Sequence, residues 1–287
     1  MYDKNHCWQY DVRIRNKERD LLMTGLDEDE VRNMKVSDFS FFHVDKSYFP
    51  EIKKFIEEYE WMGSIPPYPT HYFIALYDNI LAGALIFSMP NAFSKLLGPN
   101  TKNLERLIAR GACISWSPKN LASSFIMWSI KWMVFNTQYR LFTAYADPDA
   151  RELGTIYQSC NFWYIGQTSG RTKKYKEPNS NKWISDRKFR NVSSYKRYAK
   201  ELGIEWQKEW SVNRSMKWDK MPDEIEETLK KHGKKKLNEC EIKKVPPKHK
   251  YVYILGRDKR ETKELKERFK RLNPKLVDLQ YPKNRGK

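Results

Sequence analysis

One segment limits the fold more than any other. Leu121, Phe125, Ile126, Trp128, Ile130, Trp132, Met133 and Phe135 fall within fifteen residues. Coiled as a helix, this segment is apolar on nearly every side, so it must lie inside a protein, covered by other elements. Its predicted start is Ser117-Pro118-Lys119-Asn120. There Ser117 can accept a hydrogen bond from a free backbone N–H, and Pro118 fits the first helical turn. The helix is expected to run to about Gln138. Apolar strand-like runs bracket it, Leu104 to Trp116 before and Tyr139 to Tyr145 after.

The surrounding pattern extends this to a mixed domain. Phe39 to Val44 reads as a strand, and Tyr48 to Trp61 as a helix with Phe49, Ile52, Phe55, Ile56 and Tyr59 at helical spacing. Tyr72–Tyr77 and Ile80–Phe87 are strand-like, and Asp78-Asn79 between them signals a two-residue hairpin turn. After the apolar helix come the strand ending at Tyr145, a short helix near Ala150 to Cys160 and a strand at Phe162–Ile165. Residues 1–35 form an arm or short appended helix, with an acidic run at Asp27-Glu28-Asp29-Glu30. Residues 36–166 are the core. Residues 167–244 are polar, basic and Trp-rich, with helices expected at Ser193–Trp206 and Pro222–His232. Residues 245–287 return with a strand at His249–Leu255 and a charged helix at Asp258–Leu272. The expected fold class is α+β: a mixed central sheet flanked by helices, with a basic helical insertion before the last strand, the rival division being an independent C-terminal domain.

Charge is unevenly spread. Residues 1–165 carry 18 Lys and Arg against 19 Asp and Glu, whereas residues 166–287 carry 36 against 17. Such asymmetry points to a polyanionic partner, most simply nucleic acid, with Trp183, Trp206, Trp210 and Trp218 able either to stack on bases or to form a small core. The four cysteines and five histidines are scattered, no ligand spacing suggests a metal, and the thiols read as reduced. With no signal-peptide pattern and no apolar run long enough for a membrane span, the expected location is the cytoplasm, with no membrane and no obligate protein partner.

Candidate chemistry gathers in Tyr145 to Gly166, YADPDARELGTIYQSCNFWYIG. Asp147 ends a strand just before Pro148, where it can cap a turn or orient an amine. Tyr157 falls on the short helix that follows, where a phenol with an ordinary pKa of about 10 can donate a proton. This wording, with Leu104-Glu105-Arg106-Leu107 and SPKNLASS (Ser117 to Ser124), resembles the Mom proteins of bacteriophages, DNA-modifying enzymes on the GNAT (N-acetyltransferase) fold, which implies a GNAT-like mixed, splayed central sheet flanked by helices. Residues 70–166 carry the resemblance best, with short echoes at 246–255 and 281–283.

The resemblance implies catalytic roles for Tyr157, Asp147 and Tyr72. It implies donor-binding roles for Arg106, Lys119, Asn120, Ser123 and Ser124, although the Gly-rich coenzyme A loop usual in GNAT proteins is missing. The donor it implies is an acyl-CoA or a related activated small molecule. The partner is double-stranded DNA, for which Lys173, Lys174, Arg187, Lys188, Arg190, Lys196, Arg197, Lys248, His249 and Lys250 are candidate contacts. The product it implies is adenine altered at its N6 amine by a carbamoylmethyl-type group, protecting phage DNA from restriction. Two other functions fit the same residues: a conventional N-acetyltransferase acting on a protein or small amine, and a non-catalytic nucleic-acid-binding protein on the same scaffold.

Overall fold

The computed structural model describes residues 7–66, 68–90, 95–168, 173–213 and 215–283. The N-terminal arm is helical from Trp8 onward: α1 (Trp8–Thr24) ends at Gly25, and α2 (Glu28–Asn33) follows. The acidic run has a local cause. Asp27 accepts from the N–H groups of Asp29 and Glu30 while Glu30 reaches back to the N–H of Asp27, a capping box, and acids in the first turn suit the helix dipole. The arm is docked rather than loose. Val12 is buried in the core, and Arg13 donates to the carbonyls of Ser115 and Ser117.

Next come β1 (Ser40–Val44), α3 (Phe49–Tyr59), β2 (Pro69–Tyr77) and β3 (Ile80–Ser88). Asp78 and Asn79 both adopt positive φ, 42° and 67°, as a type I′ hairpin turn requires. Then β4 (Glu105–Cys113), α4 (Leu121–Asn136), β5 (Leu141–Ala146), α5 (Thr155–Ser159) and β6 (Trp163–Gln167) follow. α4 is the apolar helix, and only Lys131, Phe135 and Asn136 on it are exposed. It begins three residues later than a cap at Ser117 implied. The chain first turns tightly at Ile114–Ser117, and Asn120 takes a left-handed φ of 71° with no side-chain cap bond before Leu121 starts the helix.

Residues 170–247 separate as a second compact unit. It contains β7 (Lys173–Lys176), α6 (Val192–Glu201), β8 (Ser211–Val212), β9 (Ser215–Met216), α7 (Asp223–Asn238) and β10 (Glu241–Lys244). Its core is aromatic: Tyr195, Tyr198, Trp210, Met221 and Leu229 are buried, with Trp206 and Trp218 packed against them. Three of the four insertion tryptophans therefore build that core, while Trp183 remains 37% exposed.

The first unit resumes with β11 (His249–Ile254) and α8 (Lys259–Leu272). The main sheet is seven-stranded in the order β1-β2-β3-β4-β5-β11-β6. All pairings are antiparallel except β4 with β5, so the sheet is mixed. One face is buried under α4 through Phe73, Phe87, Ile108, Phe142 and Tyr251. The other is covered by α3 and α1 at one end and by α8, through Phe269, at the other. Among the described residues no helix is long and apolar enough to cross a membrane.

Candidate active site

The sheet is split where its two parallel strands meet. β4 and β5 pair only between Glu105–Ile108 and Leu141–Ala144. Beyond that point β4 is bulged: Ile108 pairs with Phe87 and Arg110 with Ile86, leaving Ala109 as the extra residue. A bulge bends and twists its strand, and β4 parts from β5. The result is a notch at the C-terminal ends of both strands.

Asp147 leaves β5 at this end and is 5% exposed. Its two oxygens have separate tasks. Oδ1 accepts from the N–H of Asp149 at 3.1 Å, capping the turn at Pro148, and Oδ2 lies 2.7 Å from Lys248 Nζ. Glu152 Oε2 accepts the backbone N–H of Asp147 at 3.2 Å. Burial raises the Glu152 carboxyl to about 7; the Asp147 N–H opposes that rise, the charges of Glu60 and Asp147 add to it, and Lys248 offsets part. Glu60, just after α3, is also raised by burial and is steadied by Arg110, whose Nε lies 3.6 Å from it.

Tyr157 is partly exposed, with its ring 5.4 Å from Phe162 and 5.5 Å from Tyr251. Its hydroxyl makes no hydrogen bond among the described residues. Burial first, then the charges of Glu152 and Glu60, push its pKa well above the ordinary phenol value, so it stays protonated. The short helix that carries it is held from below. Tyr251 donates to the Leu153 carbonyl, and Gln158 Nε2 donates to the same carbonyl at 3.1 Å. Gly154 sits at φ +72°, and a Cβ there would come within 2.4 Å of the Tyr251 ring. Only glycine suits both constraints.

The loop before α4 borders β4. Lys119 and Asn120 are exposed, and Ser123 and Ser124 are partly so. Ser123 Oγ donates to the Asn120 carbonyl at 3.0 Å, and the Ser124 N–H to the same oxygen. The N–H groups of Ala122 and Ser123 have no backbone partner among the described residues, the usual condition of a helix start. Asn120 in the left-handed region performs the turn that a glycine makes in a Gly-rich loop.

Arg106 and Tyr72 make their contacts elsewhere. Arg106 lies in the paired part of β4, 7% exposed, with its guanidinium 3.6 Å from the Tyr139 ring centroid and donating to the Tyr139 hydroxyl and the Glu105 carbonyl. No carboxylate pairs with it among the described residues, and its Nε is buried without a partner, as is Nδ1 of His71. Arg106 makes no ion pair with the neighbouring Glu105, because adjacent strand residues point to opposite faces. Tyr72 is buried on the α3 face against Phe49.

The Mom protein family model matches residues 42–283, most of the chain. The chain belongs to the Mom protein family. No curated protein matches it in sequence. Three solved structures similar to it can be named. A putative acetyltransferase from Salmonella typhimurium with its cofactor acetyl-CoA is 10% identical, covers 46% of this chain and 87% of its own, and has a TM-score of 0.35. An acetyltransferase from Salmonella typhimurium that modifies the N-terminal serine of ribosomal protein L7/L12 is 11% identical, with 77% and 98% covered and a TM-score of 0.37. A spermidine N-acetyltransferase from Vibrio cholerae, with CoA and spermine, is 10% identical, with 46% and 84% covered and a TM-score of 0.34.

In this Mom-family chain the candidate DNA contacts differ in availability. Lys173, Arg187, Lys188, Arg190, Lys196 and Arg197 are exposed, and Lys174 is partly buried. Arg190 is paired with Asp186, Arg197 with Glu177 at 3.0 Å, and Lys196 lies over Trp206. Lys248 belongs to the notch. His249 is 7% exposed and bonded through Nδ1 to the Tyr164 hydroxyl at 3.1 Å, and burial lowers its pKa. Lys250 is partly buried near the Tyr145 ring, and burial lowers its pKa as well. Sequence reasoning missed Glu152, Glu60 and Arg110. Glu152, five residues after Asp147, carried a local signal; Glu60 and Arg110 carried none.

Proposed function

We propose that this chain modifies duplex DNA at the exocyclic N6 amine of adenine with a carbamoylmethyl-type group, drawn from an activated small-molecule donor whose leaving group is displaced by the amine, and so shields phage DNA from host restriction. Membership of the Mom family and the strongly basic second half support this reading. The observation that carries it is the split between β4 and β5, beside which Asp147 lies 2.7 Å from Lys248 and Glu152 accepts the Asp147 N–H, with burial raising Glu152 to about 7 and keeping Tyr157 protonated.

The chemistry needs both groups. Adenine's amine is conjugated with its ring and paired inside the duplex, so the base must first leave the stack. The amine is then a weak nucleophile that must lose a proton as its new bond forms. Glu152, half-ionised near neutrality, is matched to take that proton. Asp147, bound to Lys248 and to its own turn, orients the amine instead. Tyr157 donates a proton to the leaving group of the donor. The Ala122 and Ser123 amides, with Lys119, would hold an anionic part of the donor.

Nucleoside mass spectrometry of DNA from bacteria expressing the chain tests the reading. A modified adenine nucleoside from the native chain, lost with Glu152→Gln and with Tyr157→Phe, supports it. Unmodified DNA from native-chain cells sinks it, and an acetylated protein or amine in the same cells would establish a conventional acetyltransferase instead.

A further inference from the structure

The notch occupies one end of β11. At the other end, past Leu255, a groove of about 690 Å³ runs between the C-terminal half of α4 and one side of α8, with Trp163 of β6 in its lining. Lys131, Lys259, Lys263, Lys266 and Lys270 line it. Four of these stand at positions 259, 263, 266 and 270 of one helix, which is the spacing of a single helical face. The carboxylates of α8 do little to neutralise that face. Glu261 pairs with Arg140 and Glu264 with Arg260; of the two acids in the lining, Asp258 caps α8 through the Glu261 N–H and Glu267 lies 4.0 Å from Lys263. No carboxylate pairs with Lys131, Lys259, Lys266 or Lys270 among the described residues. Lys266 and Lys270 each hold their ammonium 5.6 Å from the Trp163 ring, and Phe135 at the rim is 65% exposed.

Cations stacked three and four residues apart repel one another and weaken a helix. Among the described residues Lys263 alone of the five has a carboxylate partner, Glu267. Residues 248–287, which contain this helix, carry 14 Lys and Arg against 5 Asp and Glu, about half of the chain's excess, although they belong to the core unit and not to the insertion. We infer that the α8 groove is a seat for the sugar-phosphate backbone of double-stranded DNA, separate from the notch that receives the base. This rests on the DNA reading above. β11 separates the two places by roughly 20 Å, about six base pairs of duplex. The groove therefore grips DNA flanking the target, independently of the base being modified.

The test is the salt dependence of binding by the full chain, titrated against a duplex long enough to span both places. The variant combines Lys259→Gln, Lys266→Gln and Lys270→Gln, and a charge-matched control combines Lys35→Gln, Lys53→Gln and Lys54→Gln, all exposed positions. Each phosphate contact contributes about 0.9 to the log–log slope. The groove variant is expected to lose about 2 to 3 units of slope while the control keeps the native slope. On a short duplex centred on the target, groove variant and native chain should bind alike. An unchanged slope in the groove variant overturns the inference, as does an equal loss in the control. Failure here is distinct from failure of the functional reading: a native chain that modifies DNA with the slope unmoved sinks only the groove, and one that never modifies DNA sinks the reading while the slope still reports on the groove.

Discussion

At the notch, opposite charges meet: Lys248 with Asp147, and Arg110 with Glu60. Around Arg106, in the paired part of the same strand, a buried guanidinium has aromatic rings for neighbours and no carboxylate among the described residues. The first region also holds Glu152, raised by burial to about 7, a carboxyl that can exchange a proton near neutral pH. The second offsets its desolvation cost only in part, through the Glu105 carbonyl, the Tyr139 hydroxyl and the Tyr139 ring, and leaves Nε without a partner. Polar burial thus brings opposite charges together in one place and in the other leaves a cation to neutral neighbours.

The widest expected difference between the two regions is catalytic. Glu152→Gln or Tyr157→Phe should slow formation of the modified nucleoside by about 10² to 10⁴-fold with no loss of folded protein. A loss that large with an intact fold from His71→Phe would erase the contrast. Next is Gly154→Ala, which forces a Cβ into the Tyr251 ring at a left-handed backbone position. It should cost on the order of 3 kcal/mol, read from the denaturant midpoint; a loss below experimental error would show that the support of α5 is soft.

Stability against pH separates the regions by sign. Glu152 rises on folding from 4.5 to about 7, so its contribution is present below pH 4.5 and is lost as pH rises through 7. Glu152→Gln should therefore gain on the native chain above pH 7, by on the order of 2 kcal/mol, and not at pH 4. His71 falls on folding from 6.5 to about 4 through burial and the nearby His43 and Arg106 charges. Its contribution is present above pH 6.5 and is lost as pH falls towards 4, so His71→Phe should flatten the acid limb of the same curve. Two variants shifting the same limb would refute the assignment. The smallest effect concerns Arg106→Met, which should leave stability unchanged or raise it by about 1 kcal/mol. A marked drop in its melting temperature would mean that the guanidinium is better satisfied than its contacts suggest.

Elements governed by local chemistry were legible in the sequence. The Asp78-Asn79 turn follows from two residues that tolerate positive φ, and the burial of α4 from its composition. The mixed sheet followed from the order of strands and helices, and its split from the family resemblance. The start of α4 was misplaced because Arg13, far away in the chain, takes the carbonyls of Ser115 and Ser117 and holds that stretch in a turn. Glu152 was overlooked because its raised pKa comes from burial first and then from the charge of Glu60, a residue distant in the chain. The basic excess looked like one continuous region, yet it divides between residues 170–247, with 22 cations against 12 acids, and residues 248–287.

The insertion of β11 between β5 and β6 sets an order of events during synthesis. His249 pairs with Ala146 and Gln167, both translated long before it. Until residues 249–254 emerge from the ribosome, two strand edges face an empty slot, and the sheet cannot close. A nascent chain stopped before residue 248 would hold every candidate catalytic side chain but Lys248 and have no finished sheet to position them.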